Sequence, residues 1–190
     1  MKIINPYRFG KNVLYRINCG GLEVTDDGFG NPIPSSEPTW ERDSSTVPSQ
    51  FLVNEVNSPT QVTNFSEALP YAKDSSVPDY VPLEIFRSQR YQNGGSQVPL
   101  RVYYKFPDTG TIPNGTYTVN VFFAHDYGFT GFTRDMDIVI EGVNLFNYTE
   151  SGSPTYVCIM KTFNVLITDG VLDLEFQGQG KAHGIEILSN

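Results

Sequence analysis

Hydrophobic side chains recur at every second position from Tyr117 to Phe123, with Tyr117, Val119, Val121 and Phe123 on one side. That is the two-residue period of a strand with one buried face. The strand is predicted over Thr116 to Ala124 and runs straight into HDYGFTGF, residues 125 to 132. Further strands are predicted at Val13 to Asn18, in LEIFRSQRY from Leu83 to Tyr91, and at Leu100 to Phe106, Met136 to Ile140, Tyr156 to Thr168, Val171 to Phe176 and Gly184 to Leu188. Turn signals separate them at Pro113-Asn114-Gly115, Glu141-Gly142, Ser151 to Pro154 and Asp169-Gly170. After the first strand, Cys19-Gly20-Gly21 marks a close backbone approach or a sharp turn.

Short strands at this spacing, with no helical interludes, predict an all-β fold: an antiparallel β-sandwich of jelly-roll type. Residues 22–80 lack the pattern and are rich in Pro, Ser, Asp and Asn. A stretch of that length without periodicity reads as long loops draped over one end of the sandwich. Within it, Trp40 is equally suited to plugging the base of the loops and to facing a ligand. No internal repeat or second-domain boundary is visible, so residues 1–190 read as a single domain.

Composition fits this picture, since 13 Phe, 11 Tyr, 17 Gly and 13 Pro favour strands and punctuated turns over long helices. A formal net charge of -8, with scattered basic residues, argues against nucleic acid and anionic membranes as partners. No apolar run reaches the ~18–20 residues of a membrane span, and Met1 to Gly10 lacks the apolar centre of a signal peptide, so no membrane insertion is expected. Cys19 and Cys158, far apart in sequence, read as buried thiols rather than a disulfide.

Catalysis is not expected. There is no G-x-S-x-G elbow, no glycine-rich phosphate loop and no metal-ligand spacing of the two histidines. Asp126 could be paired with Asp135, Asp137 or Glu150 across a cleft, but nothing in the sequence fixes such a geometry. No cofactor is expected either. Asp26, Asp27 and Asn31 around glycines leave calcium as the metal the sequence allows, although their spacing departs from the ordered calcium loop and turn chemistry explains them equally well.

Several motifs occur in a telling order: RINCGG at Arg16 to Gly21, DDGFGN followed by Trp40 and Asp43, IFRSQRY at Ile85 to Tyr91, IPNGTYTVNVFFAHDY at Ile112 to Tyr127, RDMDIVIEGVNLF at Arg134 to Phe146, and ITDGVLDLEF with HGIEIL near the end. Together they resemble the malectin family of di-glucose-binding domains over most of the chain. The resemblance implies a β-sandwich that binds short glucose-containing oligosaccharides without cleaving them, through aromatic side chains and a carboxylate at one end. It favours an extracellular, secretory-pathway or surface setting, and is compatible with one module of a larger protein.

By the resemblance, Tyr91 and Tyr127 are the stacking tyrosines, and Tyr71, with Tyr80 as substitute, is the upstream loop tyrosine. Gln89 and His125 stand where the family has Glu, and Gly128 stands where it has an aromatic residue. The family's late carboxylate has no counterpart in GQGKAHG, which leaves Gln177, Gln179, Lys181 or His183 for polar contacts. The residues themselves suit a pyranose: rings cover its apolar C–H face while polar groups anchor its hydroxyls. The candidate carbohydrate site therefore comprises Tyr91, Tyr127, Tyr71, Tyr80, Asp126, His125, Phe129, Phe132 and His183, with Asp126 placed either to accept a sugar hydroxyl or to cap a turn. For Arg87 and Arg90 the favoured reading is structural: an internal ion pair with Asp135 or Asp137, or a solvated edge. The other functional reading is a structural or protein-interaction sandwich that has lost the sugar pocket, for which a loop end plugged by Lys181 would be the sign.

Overall fold

The computed structural model describes residues 11–53, 60–65, 69–92, 100–125 and 133–190. In chain order the strands are β1 (Asn12–Cys19), β2 (Glu41–Asp43), β3 (Thr60–Asn64), β4 (Ala72–Lys73), β5 (Ser88–Gln92), β6 (Arg101–Phe106), β7 (Gly115–Ala124), β8 (Thr133–Ile140), β9 (Val143–Ser151), β10 (Val157–Ile167), β11 (Leu172–Gly178), β12 (Lys181–Ala182) and β13 (Gly184–Ser189). They form a six-stranded sheet of order β2-β1-β13-β7-β10-β4, a four-stranded sheet β6-β11-β8-β9 and a three-stranded sheet β12-β5-β3. Pairing is antiparallel except at the six-stranded sheet's margins, where β2 runs parallel to β1 and β4 parallel to β10. The all-β sandwich is thus present, with short parallel strands at the margins of its six-stranded sheet.

The central core has the composition that the period-two reading of β7 requires. Tyr117, Val119, Val121 and Phe123 meet Val102, Tyr104 and Phe106 of β6, Leu174 and Phe176 of β11, and Ile138 and Ile140 of β8. Burying each such side chain contributes roughly 1.5–3 kcal/mol. The end of β7 is apolar on both faces, however, since Phe122 and Ala124 are as fully buried as Val121 and Phe123. A strand covered on both sides needs a second layer.

Residues 22–80 supply that layer. Val24, Trp40, Tyr71 and Val77, joined by Val81, Ile85 and Phe86, pack on Phe122, Ala124, Cys158 and Met160 to make a second core on the outer face of the six-stranded sheet. The stretch therefore lies across a sheet face rather than hanging over an end, and it contributes β2, β3 and β4. Trp40 is 1% exposed and meets Phe122 edge to face at 5.4 Å, which assigns it to packing. Gly184 lets this layer approach closely: a Cβ there would lie 2.8 Å from Ile85 Cδ1 and 3.3 Å from the Trp40 ring.

Two elements differ from the sequence expectation. Leu83–Arg87 is a 3-10 helix, and only Ser88–Gln92 of LEIFRSQRY is strand. Pro82, at φ -68, presets the helix start, and Ile85 and Phe86 are both buried, which consecutive positions of a one-faced strand cannot achieve. β9 was not expected from the pattern. It is the margin of the four-stranded sheet, and its Val143, Asn144 and Leu145 are all exposed. Its register jumps from Ile138↔Phe146 to Val139↔Asn144, leaving Leu145 as the extra residue of a bulge, a device that discourages edge-to-edge pairing.

Candidate functional site

The motifs that carried the resemblance converge on one buried carboxylate. Asp43, at the end of β2, accepts bonds from Arg90 Nε at 2.6 Å and Nη2 at 2.8 Å, from the Tyr104 hydroxyl at 2.7 Å and from the Ser49 amide at 2.8 Å. Arg90 also donates to the carbonyls of Asp43 and Ser44 and to Thr60 Oγ1. Its ion pair is therefore with Asp43, not with Asp135 or Asp137. Asp135 instead accepts from Thr149 and Asp137 from Asn147, across the β8–β9 pair. Arg87 lies 3.7 Å from Glu84 and over the Tyr71 ring. Gly20 is forced by the same convergence: it sits at φ +80, and a Cβ would fall 2.4 Å from the Gln89 backbone, which no other residue type could tolerate.

The end of β7, where the candidate site begins, is organised by a buried lysine. Lys181 of β12 lies opposite Tyr91 of β5. Its side chain is 0% exposed and its Nζ donates to the Ala124 carbonyl at 2.6 Å and to Glu150 Oε1 at 2.9 Å. One side chain thereby ties the three-stranded sheet to β7 and to β9. His125 Nε2 stands 3.8 Å from the same Glu150 oxygen and makes no hydrogen bond among the described residues. Lys181 thus fills the interior behind Tyr91 with a fixed cation.

The remaining candidates divide sharply. Tyr91 is half-buried, and its hydroxyl donates to Gln61 Oε1 at 2.9 Å. Tyr71 belongs to the second core, edge-on to Tyr156 at 5.5 Å and to Phe65 at 6.3 Å. His183 is fully buried between Phe65 and Phe86, with centroids 6.5 and 6.0 Å away. Tyr80 lies on the far side of that layer and donates to Glu186 Oε2 at 2.8 Å. Asp126, Tyr127, Phe129 and Phe132 lie outside the described residues. Of the described candidates, the structure brings Tyr91 and His125 to the Lys181 end and assigns Tyr71, Tyr80 and His183 to packing.

Glu186 is the centre of a second buried network. It accepts from Arg16 Nε at 3.0 Å, Asn120 Nδ2 at 2.9 Å and Tyr80, while Arg16 also pairs with Glu37 at 2.8 Å. A charge-assisted bond to a buried carboxylate is worth about 1.5–3 kcal/mol. Tyr80→Phe is accordingly expected to destabilise the protein by that amount, read from its urea midpoint, whereas a Tyr80 that served only as a ligand platform would leave the midpoint unchanged.

Asp26 and Asp27 use their carboxylates on their own loop. Asp26 Oδ1 accepts from the Gly28 amide at 2.7 Å, and Asp27 accepts from the Phe29 and Asn31 amides and the Asn31 side chain. These bonds, led by that from the Asn31 side chain, hold the Asp27 pKa below its ordinary value. Among the described residues no group of three His, Cys, Asp or Glu stands together as a metal site. Cys19 and Cys158 are buried thiols, and the Cys19 thiol is pushed well above its ordinary pKa by burial and then by the Asp43 charge.

A groove of about 370 Å³ opens elsewhere, between β1 and the segment carrying Pro38, Glu41 and Phe51. A second, of about 290 Å³, lies beside Phe65 and Arg87. Sequence reasoning named neither, because each is assembled from segments tens of residues apart.

No family model and no curated protein sequence matches the chain. Solved structures do. The extracellular domain of ANXUR2 from Arabidopsis thaliana matches with a TM-score of 0.68 and 14% identity, over 94% of this chain and 49% of that one. A crystal structure of the plant peptide RALF23 in complex with FER and LLG2 gives 0.67 and 14%, over 94% and 48%. The plant receptor-like kinase ANX1 gives 0.67 and 15%, over 94% and 48%. The chain thus spans about half the length of the structures it matches. At such identity the likeness carries architecture alone: the chain has the malectin-like fold of these plant receptor ectodomains.

Proposed function

We propose that this chain is a non-catalytic, malectin-like interaction module whose partner is a protein rather than a short glucan. The buried Lys181–Glu150 pair carries the reading. It puts a fixed cation in the segment before the last strand, where the resemblance expects a carboxylate that binds sugar hydroxyls. Two further candidates, Tyr71 and His183, are buried instead of presenting rings to solvent, and the hydroxyl of the half-buried Tyr80 is engaged by Glu186. A structure of the same fold holds FER together with the peptide RALF23 and the protein LLG2, which supports a protein partner for the module.

A glycan array followed by calorimetric titration with maltose-type and nigerose-type disaccharides tests this. Neither disaccharide is expected to bind at millimolar concentration. Binding of either one, abolished by Tyr91→Ala at an unchanged melting temperature, would establish a sugar site at the Lys181 end and overturn the proposal.

A further inference from the structure

The outer edge of β1 is unusually placed. On one side β1 pairs with β13 from Asn12 to Asn18, but on the other β2 covers only Ile17 to Cys19. Among the described residues no strand pairs with the outer edge of Asn12 to Arg16. The 370 Å³ groove runs along that stretch, and three consecutive β1 residues, Leu14, Tyr15 and Arg16, line it. A bulge at Leu14 interrupts the alternation of β1, but Tyr15 and Arg16 point to opposite faces, so a cavity lined by both faces the backbone edge itself.

The walls of the groove have a definite chemistry. Tyr15 and Phe51 form an aromatic side, with centroids 5.0 Å apart, and Leu14 and Pro38 extend the apolar surface. Glu23 and Glu41 stand on the rim. Glu23 accepts one bond from Thr39 and Glu41 one from Ser49, and neither is ion-paired among the described residues. Arg16 does not offset them, because its guanidinium is engaged by Glu186 and Glu37. Residues 22–51 carry six acidic residues against the single Arg42, although two of them, Glu37 and Asp43, are paired with Arg16 and Arg90. Leu22 stands 72% exposed beside Glu23 and offers an apolar contact next to the charge.

We infer that the edge of β1 between Asn12 and Arg16 receives an extended, arginine- or lysine-bearing segment of a protein partner as an added strand. This rests on the reading of the chain as a protein-interaction module. Backbone groups of the incoming segment pair with the open edge, as in other cases of strand addition. Its basic side chains lay their stems on Tyr15 and Phe51 and place their charge between Glu23 and Glu41. An acidic or helical segment would meet repulsion at the rim or leave the backbone edge unused.

The test is calorimetric titration of the full chain with the blocked octapeptides (Arg-Val)4 and (Glu-Val)4, and with an (Arg-Val)4 whose alternate backbone amides are N-methylated. The arginine peptide is expected to bind, and the other two to bind about tenfold more weakly or not at all. The double variant Glu23→Gln/Glu41→Gln is expected to weaken binding about tenfold, whereas Asp108→Asn/Asp169→Asn, with the same change of net charge, leaves it unaltered. Equal loss in both variants would show attraction to overall charge and overturn the site. Full binding of the N-methylated peptide, which needs no variant to fold, would overturn strand addition. Failure of all three peptides to bind would overturn the inference while leaving the glycan result to decide the interaction-module reading separately.

Discussion

Lys181→Met is expected to lower the unfolding free energy by about 3–5 kcal/mol, seen as a lower urea midpoint at unchanged slope. The lysine and Glu150 are 0% and 3% exposed and face each other at 2.9 Å. Removing the ammonium leaves a carboxylate buried with one oxygen, Oε2, already lacking a hydrogen bond, and with His125 too distant to replace the lost donor. It also frees the Ala124 carbonyl at the end of β7. Replacing both partners removes that penalty: Lys181→Met with Glu150→Leu is expected to recover most of the loss, since an apolar pair of similar volume often matches a buried ion pair. If the double variant were as unstable as the single one, the loss would come from the freed Ala124 carbonyl rather than from the stranded Glu150 charge.

What the sequence made legible follows from how strictly one face of an element is buried. β7, β10 and β11 alternate because one face meets the central core, and their positions were apparent from the pattern. β9 escaped notice because a marginal strand exposes residues of both parities and carries a bulge that breaks the count. The apolar run Val121-Phe122-Phe123-Ala124 signalled burial on both faces, but not which segment supplies the cover. Residues 22–80 could do so without visible periodicity because they pack through single anchors, Val24, Trp40, Tyr71 and Val77, separated by polar loop residues.

The candidate site was legible by position more than by role. Tyr91 was expected at a strand mouth and is found half-buried at the end of the sandwich beside Lys181. Tyr71 was named through the resemblance and His183 as a polar stand-in for the missing late carboxylate, yet both rings pack on Phe65. A fully buried lysine runs against the strong tendency of that residue toward the surface, so nothing in GQGKAHG announced it. Arg90 was rightly read as ion-paired, but its partner lies 47 residues toward the N-terminus, beyond any local rule.

Asp43→Ala is expected to be at least as damaging as the lysine substitution, with a loss of about 3–5 kcal/mol from the stranded Arg90 charge. The Tyr104 hydroxyl, left buried without its acceptor, adds about 1–3 kcal/mol. Burial alone would lower the Arg90 pKa, and the hydrogen bond to Asp43 outweighs it; without the carboxylate that support is lost, but a guanidinium starts so high that it keeps its charge. Against a total stability of about 5–15 kcal/mol for a typical domain, the combined effect approaches global unfolding. Asp43→Asn separates the contributions: it keeps the shape and one acceptor oxygen but removes the charge, and is expected to fall between wild type and Asp43→Ala. Amide hydrogen exchange gives the location. Protection should fall first at Ser88–Gln92 and Glu41–Asp43, the strands that Arg90 and Asp43 join. A loss of under about 1 kcal/mol, or one spread evenly over the central core, would mean that β1, β2, β5 and β6 are held by their own pairing and apolar contacts. The motif residues Arg90 and Asp43 would then need a role other than joining these segments.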